Sequence, residues 1–126
     1  VLIDSDVMIW FYRGKLKAQQ MIYQNIPFSL SAVSYMEIVQ GVRNKEELSK
    51  LKKDLTQWST KIVQINEAVS ENAINLLEKY KLSNGLELGD ALIASTALEC
   101  QEILITGNTK HYDYIPNIQI MPFFIV

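Results

Sequence analysis

The chain has 126 residues, 48% of them hydrophobic and 21% charged, with a formal net charge of −2. That length fits one domain over residues 1–126, and the apolar fraction supplies a core without disulfides. A single cysteine, Cys100, and a single histidine, His111, exclude an intrachain disulfide and a Cys/His zinc site. The near-neutral charge excludes a histone-like blanket for nucleic acid.

Val1-Leu2-Ile3 runs straight into Asp4-Ser5-Asp6. An unbroken apolar run that ends in small polar residues reads as a buried parallel strand with its exit loop. The same acids interrupt any leader-type apolar stretch, and no run approaches the roughly 18 residues of a membrane span. A soluble cytoplasmic protein is therefore expected.

One helix is predicted over about residues 8–24, with Trp10 and Phe11 early and Met21 and Ile22 late. Residues 27–33 are extended in character. Ser34-Tyr35-Met36-Glu37 has the S-x-x-E form of a capping box, which starts a second helix at Ser34 and ends it near Gly41. Asn44 caps a third helix, with Glu46 and Glu47 in its first turn, and Leu48, Leu51, Leu55 and Trp58 form one apolar stripe. Ile62 to Ile65 is a strand. Asn66 opens a helix whose Val69, Ala73, Leu76, Leu77 and Tyr80 share a face, and Ser83-Asn84-Gly85 stops it. Leu88 to Cys100 is the next helix, with Ile93, Ala94, Ala97 and Leu98 inward and Cys100 packed at its end. Ile103 to Thr106 is a second buried strand, and Ile118 to Met121 is the last, stopping short of Pro122. Strands alternating with helices predict a three-layer α/β/α sandwich around a mostly parallel sheet.

In such sheets, ligand sites form beyond the carboxyl ends of the strands. Asp4 and Asp6 leave one strand there, Asn108 leaves another, and Glu37 and Asp90 stand near helix starts. Carboxylates brought to one point repel, and a cation is the usual remedy. Oxygen donors without a thiol or imidazole cluster favour magnesium or manganese over zinc. Such an ion suits phosphodiester hydrolysis.

Each acid also has a structural reading. Asp4 fits a helix cap or an Asx turn, Glu37 a capping box, Asp90 a first-turn acid and Asn108 a turn residue. His111 reads as a structural histidine. Half of the twelve basic residues, Arg43 and Lys45 among them, lie within positions 43–61. This stretch is either a solvated helix face or a phosphate-backbone contact surface.

Four stretches together resemble PIN-domain nucleases. These are Val1 to Ile9, Val33-Ser34-Tyr35-Met36-Glu37-Ile38 with Gly41, Asp90 to Ala97, and Ile103 to Tyr112 closed by Ile115-Pro116-Asn117-Ile118. Their order and spacing resemble the compact bacterial branch, the VapC-type toxins of toxin–antitoxin pairs. The resemblance implies a PIN-like fold and a metal-dependent endoribonuclease. It implies Asp4, Glu37 and Asp90 as the carboxylate core that holds Mg2+, for which Mn2+ substitutes. It makes Asp6 and Asn108 secondary ligands and Ser5 a hydroxyl that orders the site. It also implies a homodimer, a cognate antitoxin, and structured RNAs such as transfer RNA as substrates. One departure is visible: where many relatives carry a fourth acid, this chain has Asn108 and His111, and Asn108 is a neutral, weaker ligand. Two other readings compete. One is a catalytically inactive PIN-like module that binds RNA or a partner. The other is an aspartate-nucleophile phosphatase, suggested by the D-x-D-x-V form of Asp4 to Val7 but lacking its later acid pair after Asp90.

Overall fold

The computed structural model describes residues 1–126. Five short strands, β1 (Leu2–Ile3), β2 (Ser29–Ser31), β3 (Lys61–Val63), β4 (Leu104–Thr106) and β5 (Ile120–Pro122), form one sheet in the order β3-β2-β1-β4-β5. Every neighbouring pair is parallel. Six helices connect them: α1 (Ser5–Tyr12), α2 (Leu16–Gln24), α3 (Ala32–Gln40), α4 (Lys45–Gln57), α5 (Glu67–Asn84) and α6 (Leu88–Cys100). A 3-10 turn, Thr109–His111, follows β4. No helix is long and apolar enough to cross a membrane.

The layering follows from side-chain alternation along a strand. Leu2 and Leu104 point to one face, where they pack with Ala73 and Leu76 of α5 and Ala91, Ala94 and Ala97 of α6. Ile3 and Ile105 point to the other, among Val7 and Phe11 of α1, Ile22 of α2 and Leu51 and Leu55 of α4. Burying each large aliphatic side chain is worth about 1.5–3 kcal/mol, so both faces need cover. The alanines of α6 let it lie close to the sheet. This is the expected three-layer sandwich, with a fully parallel sheet.

Four local expectations are corrected. The helix predicted over residues 8–24 starts earlier and is two helices. Asp4 is extended and accepts the Ser5 N–H on its own side chain, so α1 begins at Ser5. Gly14, at φ +80°, turns the chain between Tyr12 and Leu16 in a left-handed conformation that L side chains rarely adopt. Second, extended structure stops at Ser31 rather than at Val33, and Ser34 does not cap the following helix. Ser31 does: its Oγ accepts the Val33 N–H at 3.0 Å, which places Ser34 inside α3 as a buried side chain. Third, β5 includes Pro122, tolerated because β5 is an edge strand with one side unpaired. Fourth, Cys100 is exposed rather than packed.

The cap at Asn44, the stop at Gly41, the helix over Leu88–Cys100 and the stripes of α4 and α5 fall where the sequence puts them. From β1 the chain moves outward through β2 to β3, then crosses to β4 on the other side of β1. The crevice between β1 and β4 is thus the topological switch point, the place where such sheets bind ligands.

Candidate active site

Asp4 sits at that crevice, one residue beyond β1, and is 3% exposed. The pairing of Ile3 with Ile105 puts the next residues, Asp4 and Thr106, side by side. Thr106 Oγ1 donates to Asp4 Oδ2 at 2.9 Å, and the Ser5 N–H donates to Oδ1 at 2.8 Å. Asp4 is therefore both the cap of α1 and a buried member of the site.

Three further acids surround Asp4, two of them joined to it through a shared hydroxyl-bearing residue. Ser5 Oγ donates to Glu37 Oε1 at 3.0 Å, joining α1 to α3. With Ser31 as the cap of α3, Glu37 has no capping role, and its side-chain partner is Ser5. The Tyr112 hydroxyl, fully buried, lies 3.0 Å from Asp4 Oδ2 and 3.1 Å from Asp90 Oδ1 in the first turn of α6. His111 Nδ1 approaches the other oxygen of Asp90 at 3.1 Å, with its imidazole half exposed. Asp6 Oδ2 accepts the Gly107 N–H at 2.9 Å, while its Oδ1 is buried without any hydrogen-bond partner.

Gly107 is needed for that approach. A Cβ at this position would stand 2.7 Å from Asp6 Oδ2, closer than side chains tolerate. Gly89, beside Asp90, similarly leaves room for Glu37, whose Oε2 would be 3.2 Å from an added Cβ.

The weaker sequence candidates stand apart. Asn108 is exposed; its backbone N–H donates to Thr106 Oγ1 at 3.0 Å, but its side chain makes no hydrogen bond. Arg43 is exposed and held by Glu47, with Nη2 2.8 Å from Oε2. Lys45 is exposed at the first position of α4. Sequence reasoning missed Thr106 and Tyr112. The signal for Thr106 lay in the β1–β4 register, and a buried aromatic six residues further on carries no local signal at all.

The electrostatics are those of unbalanced negative charge. No lysine or arginine pairs with Asp4, Asp6, Glu37 or Asp90; the side-chain ion pairs of the basic residues lie elsewhere, at Glu47, Asp54 and Glu87. Burial pushes the Asp4 carboxyl up, against the hydrogen bonds of Thr106, Tyr112 and Ser5, and the charge of Asp90 adds to the rise. Burial and then the charge of Asp4 raise Asp6 from 3.8 to about 6. Burial also raises Glu37, with Asp4 and Asp90 contributing against the Ser5 hydrogen bond. Tyr112 is raised by burial and by the charges of Asp4 and Asp90, so its hydroxyl keeps its proton.

Hydroxyls link Asp4 to Glu37 and to Asp90, Asp6 is held by the Gly107 N–H instead, and no three His, Cys, Asp or Glu side chains form a ready-made metal cage. The donor set nevertheless suits a hard divalent cation. It offers carboxylate oxygens without a thiol, has no cationic side chain to balance Asp4, Asp6 and Glu37, and includes an orphaned buried oxygen on Asp6. A phosphatase of the aspartate-nucleophile class needs a lysine beside its first aspartate, and the side-chain partners of Asp4 here are Ser5, Thr106 and Tyr112.

Comparison with known proteins agrees with this geometry. A ribonuclease, VapC19 of Mycobacterium tuberculosis, is 26% identical over 125 residues, covering 94% of this chain and 96% of its own. A chain of a toxin–antitoxin complex from Klebsiella pneumoniae superposes with a TM-score of 0.80 at 25% identity, covering 100% of this chain and 99% of that one. A chain of VapBC2 from Rickettsia felis, in a complex with a promoter DNA fragment, shares the fold with a TM-score of 0.76 at 19% identity, covering 98% of both chains. The PIN domain model matches residues 1–115. With that match and an acid-lined crevice at the switch point of a parallel sheet, the chain belongs to the PIN domain family.

Proposed function

We propose that this protein is a metal-dependent endoribonuclease and the toxin of a toxin–antitoxin pair. The observation that carries the reading is the convergence of Asp4, Asp6, Glu37 and Asp90 on one crevice with no lysine or arginine to balance them. The similarity to a VapC ribonuclease along nearly the whole of both chains supports it.

Asp4, Glu37 and Asp90 are the proposed ligands and catalytic carboxylates, with Asp6 and Asn108 as secondary donors. When bound, Mg2+, or Mn2+ in its place, would neutralise charge on the scissile phosphate and lower the pKa of an attacking water. Ser5 fixes the rotamer of Glu37 through its 3.0 Å hydrogen bond. Asp4 is held on both oxygens, by Ser5 on one and by Thr106 and Tyr112 on the other, so its remaining lone pairs point in fixed directions. The proton released by the attacking water would pass to a carboxylate of the crevice, Glu37 or Asp6. In the hydrolysis, water oxygen joins phosphorus, the phosphorus–oxygen bond to the leaving nucleotide breaks, and that oxygen takes up a proton. Arg43 and Lys45 would contact the RNA backbone, Arg43 at the cost of its pairing with Glu47. The partners in this reading are RNA, with transfer RNA a suitable structured substrate, a cognate antitoxin, and a second copy of the chain, all in the cytoplasm.

The test is cleavage of total RNA by purified protein with Mg2+, with Mn2+ and with chelator, beside Asp90→Asn. Discrete fragments that need metal and vanish in the variant support the reading. A wild type that binds no divalent ion, together with Asp4→Asn that still binds RNA, overturns it. That outcome favours the non-catalytic binding module.

A further inference from the structure

Tyr112 joins two acids that no other side chain joins. It is fully buried, and its ring packs in the core beneath β1, β4 and α6 with Leu2, Leu104 and Ala91. Its hydroxyl thus has a fixed position, 3.0 Å from Asp4 Oδ2 and 3.1 Å from Asp90 Oδ1. Both oxygens lie within 3.1 Å of one atom, which confines them to about 6 Å of each other across two separate elements.

A phenol has one proton and donates it to one acceptor at a time. The two acids do not depend on it equally. Asp4 Oδ2 also accepts from Thr106, whereas the contact of Asp90 Oδ1 is with Tyr112 alone. The remaining Asp90 oxygen faces His111. The hydrogen-bonded link between the Asp90 and Asp4 side chains therefore runs through the single hydroxyl of Tyr112.

We infer that Tyr112 is a positioning residue that sets the spacing of Asp4 and Asp90, and with it the affinity of the crevice for its divalent cation. The inference rests on the nuclease reading above and assigns to the segment after β4 a role that its exposed Asn108 does not fill. Groups that orient carboxylate ligands change metal affinity by about 10–100-fold when removed, without contacting the ion. Tyr112→Phe deletes only the hydroxyl and keeps the ring that fills the core.

The test is Mn2+ binding, followed by electron paramagnetic resonance on the full chain. Tyr112→Phe is expected to bind Mn2+ at least tenfold more weakly than wild type, with an unchanged circular dichroism spectrum in chelator. Thr106→Val, which leaves the Asp4–Tyr112–Asp90 link intact, is expected to lose less. A second readout needs no activity and little sample: adding Mg2+ to wild type perturbs the ultraviolet absorption of a buried tyrosine, and Tyr112→Phe loses that difference signal. Equal Mn2+ affinity in Tyr112→Phe and wild type overturns the inference and leaves the nuclease reading standing. A flat difference spectrum on a wild type that does bind Mn2+ overturns it as well. A wild type that binds no Mn2+ removes both.

Discussion

Replacing Asp6 with Asn tests whether the crevice carries uncompensated charge. Asp6 is half-buried, accepts the Gly107 N–H on one oxygen and leaves the other oxygen buried and unpartnered. Burial, with the nearby Asp4 charge, raises its pKa from 3.8 to about 6. In full that rise corresponds to about 3 kcal/mol, and solvent screening of a half-buried group reduces it to about 1–2 kcal/mol. The sign follows from linkage. A carboxyl whose folded pKa lies above its unfolded one contributes stability below pH ~4, and loses it as pH rises through about 6. Asn has the shape of Asp, keeps an acceptor for Gly107 and never ionises. Asp6→Asn should therefore match wild type near pH 4 and exceed it by about 1–2 kcal/mol at pH 7.5 in chelator. For a chain of this length that is an unfolding temperature higher by roughly 3–8 °C. Thermal denaturation by circular dichroism at both pH values measures it, and added Mg2+ should narrow the gap by supplying the missing positive charge. A variant no more stable than wild type at pH 7.5 in chelator refutes the reasoning.

Four other substitutions probe neighbouring claims. Glu37→Gln keeps an acceptor for Ser5 and removes a buried charge, so RNA cleavage should be lost while the unfolding temperature in chelator holds or rises; a clear fall in stability would mean a structural role. Ser31→Ala should cost about 1 kcal/mol as the loss of a helix cap. Ser34→Ala, which removes a buried hydroxyl without a partner, should cost nothing, and the reverse order in denaturant titration would restore the capping box at Ser34. Gly107→Ala puts a Cβ 2.7 Å from Asp6 Oδ2 and should displace that carboxylate, lowering cleavage at least tenfold; wild-type cleavage rates would show that Asp6 has no part in the site.

Much of the fold was legible because its signals are local. Ile103-Leu104-Ile105 is apolar without interruption because β4 is covered on both faces, and Leu51, Leu55 and Trp58 recur at helical spacing because α4 buries one face. The misplaced helix start shows the limit of local rules. Ser34-x-x-Glu37 satisfies a capping box as well as any sequence can, yet the strand before it ends where its pairing ends. Ser29, Leu30 and Ser31 pair with Lys61, Ile62 and Val63, and Ser31 is the last residue in register. The helix follows at once from Ser31, whose hydroxyl is in place to cap it. Tertiary pairing thus overrode the serine that the sequence pattern favours.

The candidate site divides in the same way. Its acids could be read from sequence because a carboxylate beside apolar residues is conspicuous wherever the chain later goes. Thr106 and Tyr112 could not, because a hydroxyl carries no charge and their partner Asp4 lies 102 and 108 residues away. Those separations are a property of the topology. Strands β1 and β4 become neighbours only because the chain leaves β1 in one direction and returns on its other side, so the crevice draws its two walls from opposite ends of the sequence. Acids supply the charge that a cation must answer, and they announce themselves. Apart from Ser5, the uncharged groups that hold those acids come from the wall that stands last in chain order, and only the strand register brings them into view.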